Sequence, residues 1–242
     1  MKTIILGPPG TGKTTTLLNL VDEFIQQGIR PKQIGYFSFT KKAATEAATR
    51  AAEKFSLDVE NDLDNFRTLH SYAFAQLGMT KEKMMGRDDY KEFGEKCGIP
   101  IKVAKFSDSD GTFNSDNEYL TIINTAIVKR KDLLEYYDSR QNILDIERNT
   151  LYLLAEELKR FKQEKRLKDF NDLLLDFIAK ETTPSFKVLF IDEAQDLSLL
   201  QWEMVRKLWG NAEKTYIAGD DDQAIFKWAG ADVDHFIALK EE

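Results

Sequence analysis

Cysteine is almost absent from this chain. Cys97 alone among 242 residues excludes an internal disulfide and fits a reducing compartment. Histidine is scarce too. With only His70 and His235 beside that thiol, a structural zinc site lacks ligands. No apolar run approaches the ~20 residues that a membrane-spanning helix needs. Met1-Lys2-Thr3 leads straight into an apolar stretch, which leaves no room for a cleavable leader. Together these absences predict a cytoplasmic protein. Positive charge is also short. A net charge of −7 argues against nucleic-acid binding by bulk electrostatics and leaves a local basic groove as the route. Two places offer one: Lys41-Lys42 with Arg50, and Leu158–Lys168, where Lys159, Arg160, Lys162, Lys165, Arg166 and Lys168 crowd together. For the second run a solvated helix face is the simpler reading. The chain is 42% hydrophobic and 31% charged, which predicts a soluble protein with a real core, in one large domain or two small ones.

Against these absences, residues 7–14 read Gly7-Pro8-Pro9-Gly10-Thr11-Gly12-Lys13-Thr14, a complete phosphate-binding loop. The apolar Ile4-Ile5-Leu6 before it reads as a buried strand, and Thr14 to Gln27 after it as a helix. Glycines let the backbone curl so that several N–H groups point at one phosphate. The following helix adds its positive N-terminal end. Lys13 is placed to reach the β- and γ-phosphates, and the Thr14 hydroxyl to hold Mg²⁺.

Strand and helix alternate over residues 3–77. Ile34–Phe39 reads as a strand, the alanine-rich Lys41–Phe55 as a helix, Phe66–Thr68 as a short strand and Leu69–Leu77 as a helix. Residues 80–165 break the rhythm with charge, a polar loop at Ser107–Ser115 and helical periodicity from Glu118 to Lys168. They read as a mostly helical insertion. The alternation resumes with a strand at Val188–Ile191, a helix at Leu199–Trp209 and a strand at Thr215–Ala218. The pattern predicts a parallel sheet with helices on both faces.

Acidic groups at the C-terminal end of a buried parallel strand lie in the ligand crevice. Asp192 there would hold the Mg²⁺ that Thr14 also touches, and Glu193 would orient and deprotonate the attacking water. Asp192-Glu193 alone is a weak signal; paired with the loop at 7–14 it points to nucleotide hydrolysis. Asp220-Asp221-Asp222-Gln223 closes the last strand. Gln223 could sense a γ-phosphate, or the three aspartates could cap a helix.

The ordered set of motifs resembles the first motor lobe of superfamily-one DNA helicases of the UvrD/Rep/PcrA type. The resemblance runs through Gly7–Thr14, Phe37-Ser38-Phe39-Thr40-Lys41-Lys42-Ala43-Ala44-Thr45-Glu46, Thr68-Leu69-His70-Ser71 and Asp169-Phe170-Asn171-Asp172-Leu173-Leu174. It continues through Ile191-Asp192-Glu193-Ala194-Gln195-Asp196 with Gln201, and Gly219–Trp228. It implies a RecA-like fold for residues 1–79 and 166–242, with residues 80–165 as an accessory insertion. It implies ATP and Mg²⁺ as cofactors, single-stranded DNA as partner and 3′→5′ translocation. By the same likeness, Lys13, Asp192, Glu193 and Gln223 are catalytic. The nucleotide is bound by Gly7, Pro8, Pro9, Gly10, Thr11, Gly12, Lys13, Thr14, Thr15 and Gln195. The metal is held by Thr14 and Asp192, and DNA is contacted by Phe39, Thr40, Lys41, His70, Phe226 and Trp228. Phe226 and Trp228 would stack on bases, which binds single strands without reading sequence. Taken alone, His70 reads equally as a packed or capping histidine, and Trp228 as core.

The departures from that pattern are specific. Only two residues precede the first strand, where the family has an adenine-reading Gln motif. Thr15 stands where an Arg often stacks on adenine, and Ala229 where an Arg often follows the tryptophan. The chain stops at Glu242, without the second motor lobe that carries the arginine fingers in the family, so it is expected to be the first lobe alone, as a piece of a longer protein or of a split gene product. Two other readings stand beside the helicase lobe: the motor portion of a helicase–nuclease of the AddA/RecB kind, and a nucleotide-gated DNA-binding module that never hydrolyses. Glu193 argues against the last, because a pure switch needs no catalytic carboxylate.

Overall fold

The computed structural model describes residues 2–8, 10–101, 115–140, 146–220 and 231–239. Its strands are β1 (Lys2–Leu6), β2 (Ile34–Ser38), β3 (Phe66–Thr68), β4 (Phe186–Asp192) and β5 (Ala212–Gly219). Its helices, in chain order, are α1 (Lys13–Gln26), α2 (Lys41–Phe55), α3 (Leu69–Gln76), α4 (Arg87–Cys97), α5 (Glu118–Val128), α6 (Leu133–Asp138), α7 (Arg148–Lys165), α8 (Phe170–Ala179), α9 (Leu199–Trp209) and α10 (Val233–Ala238). The five strands form one parallel sheet in the order β1-β5-β4-β2-β3.

Alternation along the strands divides the core in two. Ile34, Tyr36, Val188 and Phe190 point to one face and pack with Leu17, Leu18 and Val21 of α1 and Ala47 and Ala48 of α2. Phe37, Leu189, Ile191 and Ile217 point to the other, against Leu69 and Tyr72 of α3, Leu173 and Phe177 of α8, Trp202 of α9 and Phe236 of α10. Both faces of β2 and β4 are covered, which is why these strands read as continuous apolar runs. The register brings Leu6 opposite Gly219 and Ser38 opposite Asp192. The C-terminal ends of β1, β2, β4 and β5 therefore meet at one edge of the sheet, where ligand crevices form in such folds.

One expectation needs correction. Ile4-Ile5-Leu6 is not a buried strand. β1 lies at the end of the sheet, its residues half-buried, and Leu6 is 40% exposed. An apolar run reports β propensity but not whether a strand has one neighbour or two. The continuous helical reading of 118–168 resolves into α5, α6 and α7. The polar loop predicted at 107–115 lies, except for Ser115, outside the described residues.

Between α3 and α8 a third hydrophobic cluster gathers Tyr90 and Phe93 of α4, Leu120 of α5, Tyr136 of α6 and Leu151, Leu154 and Phe161 of α7. The chain closes this segment where it leaves and returns: Met85 N–H donates to the Lys168 carbonyl at 2.8 Å and Lys168 N–H to the Lys83 carbonyl at 2.9 Å. Just beyond, Asp169 and Asp172 form a reciprocal capping box at the start of α8. Lys162 of α7 binds both carboxylates, at 2.6 and 2.8 Å. Burial works against the Lys162 ammonium, but the two carboxylates outweigh it and raise its pKa. Burial and the neighbouring Asp169 push the Asp172 carboxyl up.

Lys162→Met leaves the two carboxylates side by side. Removing one member of a fully buried ionic cluster costs about 3–5 kcal/mol, so this half-buried one should lose up to about that, and a chain of this size loses about 2–4 °C in melting temperature per kcal/mol. Asp172 is raised by burial even with Lys162 beside it, so without the lysine its folded-state pKa stands further above the unfolded one. The loss is then full above the folded value and shrinks as pH falls through it. Melting curves of both proteins at neutral and at mildly acidic pH check this; a deficit independent of pH would contradict it.

Candidate nucleotide site

The loop after β1 bends through Gly10 (φ 75°) and Gly12 (φ 83°), left-handed conformations that suit glycine. Gly7 is tight for a different reason: a Cβ there would lie 2.7 Å from the Thr11 hydroxyl. Gly12 caps α1 without a side chain, and no acidic residue occupies the first turn. The helix N-terminus, with its outward N–H groups, is thus not neutralised by its own sequence. Lys13 Nζ donates to the carbonyls of Gly7 at 2.5 Å and Pro8 at 3.1 Å, so the ammonium arches over the loop. Thr15 is exposed in the first turn. Pro9 lies outside the described residues.

Thr14 connects this loop to β4. Its hydroxyl donates to Asp192 Oδ2 at 2.9 Å. The same oxygen accepts the Tyr36 hydroxyl at 2.7 Å, and Oδ1 accepts the Glu193 N–H at 3.0 Å. Asp192 is buried. Burial raises its pKa, and the Tyr36 and Thr14 bonds act the other way. The Tyr36 phenol is pushed well up, by burial first and by Asp192 second. Glu193 stands in the left-handed region at φ 53°, a conformation uncommon outside glycine and often found where function demands it.

Gln195 ties the next parts together. Its Nε2 donates to Glu193 Oε2 at 2.7 Å, and its Oε1 accepts the Asp220 N–H at 2.9 Å. The end of β5 must come close for this. A Cβ on Gly219 would meet the Phe236 ring at 2.5 Å and Gln195 Oε1 at 3.0 Å. Lys13, Thr14, Asp192, Glu193 and Gln195 thus gather at the sheet edge.

The residues expected on DNA are placed less uniformly. Thr40 caps α2 by accepting the Ala43 N–H, and Lys41 is exposed in its first turn. Phe39 is buried in the core. His70 is buried too, edge-on to Phe170 with ring centroids 5.8 Å apart. Gln223, Phe226 and Trp228 lie outside the described residues. In the basic run at 158–168, Lys162 holds the two aspartates, Arg160 pairs with Glu157, Lys165 with Glu92 and Lys168 with Asp176. Those four charges bind local carboxylates. Several motif residues prove to be helix caps: Thr68 caps α3, Asp169 and Asp172 cap α8, and Ser198 with Gln201 caps α9. Sequence reasoning missed Tyr36. Its only signal was a tyrosine two residues before the strand position paired with Asp192.

A phosphate loop at a helix N-terminus, joined to an acidic strand end in a parallel α/β sheet, defines a RecA-like nucleotide-binding lobe. Along residues 1–242 the chain matches the UvrD/REP helicase N-terminal domain and belongs to that family. It is 27% identical to the ATP-dependent DNA helicase Rep of Buchnera aphidicola, over 99% of this chain and 36% of that protein. It is 25% identical to a probable DNA helicase II homologue of Mycoplasma pneumoniae, over 99% of this chain and 35% of the relative. Identity to Escherichia coli Rep is 24%, over 99% and 37%. The chain therefore spans about a third of the length of these relatives.

Gly219→Ala forces the Phe236 ring and Gln195 apart. Overpacking of this kind costs about 1–3 kcal/mol. A lower melting temperature together with weakened nucleotide binding is expected, because the same contact holds Gln195. Calorimetry and a nucleotide titration on one preparation check both.

Proposed function

We propose that this chain is the first motor lobe of an ATP-dependent, 3′→5′ DNA helicase. The Thr14–Asp192 hydrogen bond carries the reading, because it joins the phosphate loop to the acidic strand end that hydrolysis requires. In this proposal residues 1–79 and 166–242 form the motor lobe, and residues 80–165 an accessory insertion that the helical cluster supports.

Mg²⁺ fits the donors present. They are oxygens, as a hard cation needs. The Thr14 hydroxyl has its proton on Asp192, so its lone pairs are what it offers a cation. Thr14 and Asp192 would hold the ion beside the nucleotide, where it would supply positive charge to offset that of the phosphates. Gly7, Pro8, Pro9, Gly10, Thr11 and Gly12 would wrap the phosphates, with backbone N–H groups donated by Gly7, Gly10, Thr11 and Gly12 because proline has none, and with Lys13 swinging from the Gly7 and Pro8 carbonyls to the γ-phosphate. Glu193, held by Gln195, would align a water and take its proton. Gln195 also grips the backbone at Asp220, so loss of the γ-phosphate has a mechanical route to the end of β5. Thr40 and Lys41, at the end of β2, would lie along single-stranded DNA, with Phe226 and Trp228 stacking on its bases. A second motor lobe would supply the arginine finger. A DNA substrate and a lone cysteine suit the cytoplasm.

Steady-state ATP hydrolysis with and without single-stranded DNA tests the proposal. The isolated chain should bind nucleotide yet turn over slowly, since a missing finger costs about 10³–10⁵ in rate. Lys13→Ala should abolish what turnover there is. Glu193→Gln should cut it by about 10²–10⁴ while nucleotide stays bound. Trp228→Ala should weaken DNA binding and leave nucleotide affinity intact. Turnover untouched by Lys13→Ala would overturn the assignment of the site.

A further inference from the structure

The hydroxyl of Tyr36 has no part in the nucleotide chemistry described above, yet it contacts that chemistry's central carboxylate. Tyr36 is fully buried in β2, paired in register with Phe190 of β4. Its ring stacks on Phe66 with centroids 5.5 Å apart and planes 8° from parallel, and it leans on Phe190 at 6.1 Å. Asp192 stands two residues beyond Phe190 on the same face of the sheet. Two residues along a strand span about 6.7 Å, close to the reach of a tyrosine side chain. The ring therefore runs along the sheet surface and delivers its hydroxyl to Asp192 Oδ2 at 2.7 Å.

Three donors from three elements fix that carboxylate: Thr14 of α1 and Tyr36 of β2 on Oδ2, and the Glu193 N–H on Oδ1. The Thr14 and Glu193 groups belong to parts expected to move with the nucleotide. Tyr36 belongs to the rigid sheet. Two donors on one oxygen occupy both of its in-plane lone pairs, so the carboxylate cannot rotate without breaking a bond to Tyr36.

We infer that Tyr36 is a positioning residue for the divalent cation: it locks the Asp192 carboxylate so that the cation meets it already oriented. The inference rests on the nucleotide reading above. It predicts that Tyr36 sets how much Mg²⁺ the protein needs, and leaves untouched how well it holds a metal-free nucleotide.

Equilibrium binding of a fluorescent ATP analogue to the full chain, titrated with Mg²⁺, tests this. The proteins compared are the native chain, Tyr36→Phe, Asp192→Asn, the double variant and Lys13→Ala. Phe keeps the stacked ring and removes only the hydroxyl. Tyr36→Phe should raise the Mg²⁺ concentration for half-maximal binding about tenfold, the scale on which partners of metal-holding groups act. Its affinity for the analogue in chelator should match the native chain, which also certifies the fold. In the Asp192→Asn background the same substitution should have no further effect, because the two act through one contact. An unchanged Mg²⁺ midpoint would overturn the inference. So would a loss of affinity equal with and without Mg²⁺, or an effect that persists in the Asp192→Asn background. Binding by the native chain that ignores both Mg²⁺ and Lys13→Ala would instead overturn the nucleotide reading and this inference with it.

Discussion

A buried carboxylate is costly unless donors surround it, and Asp192 imposes that condition on the whole lobe. Its donors come from α1, β2 and the turn after β4. Satisfying them fixes where the phosphate loop sits relative to the sheet and sets the depth of β2 beside β4. It also fixes the direction in which Glu193 leaves the strand. Alternating burial on the two sheet faces supplies the stability; Asp192 supplies the alignment. A hydrophobic core alone would tolerate small slips of α1 along the sheet. A carboxylate with hydrogen bonds to three elements would not.

The helical cluster of α4–α7 is fastened by the same kind of chemistry at another place. Asp169 and Asp172 cap α8 and share Lys162 of α7. The capping box therefore starts a helix of the sheet layer and also grips the last helix of the neighbouring cluster. Exposed pairs such as Lys91–Glu95 or Arg148–Asp138 contribute little by comparison, since solvent screens them.

Much of this was legible in the sequence because the signals were local. The glycines of the loop, the alanines of α2 and the apolar runs of β2 and β4 each state their conformation within a few residues. The bounds of α2, β3 and α9 coincide with those read from sequence. What could not be read was lateral. Nothing in Ile4-Ile5-Leu6 says that β1 ends the sheet, since strand order depends on partners far along the chain. The Tyr36–Asp192 contact joins positions 156 apart and exists only once two strands are in register. The motif reading also merged two kinds of residue. Lys13, Thr14, Asp192 and Glu193 meet at a crevice, while Thr68, Asp169 and Gln201 take part in helix caps. Both kinds are polar residues at element boundaries, and sequence pattern alone does not separate them.

The turn at Ala194–Asp196 has a further consequence for the segment between β5 and α10. That segment begins at Asp220, whose N–H is held by Gln195. It returns at Ala231, which bridges to Ser198, and at Asp232, whose N–H donates to the Leu197 carbonyl at 3.0 Å. Both ends are thus tied to one stretch of five residues, 194–198. The ends cannot separate while that turn is intact, so a rotation at Glu193 would carry them together. Asp220, Ala231 and Asp232 are thus anchored at a single point, and that point immediately follows the carboxylate expected to act on water.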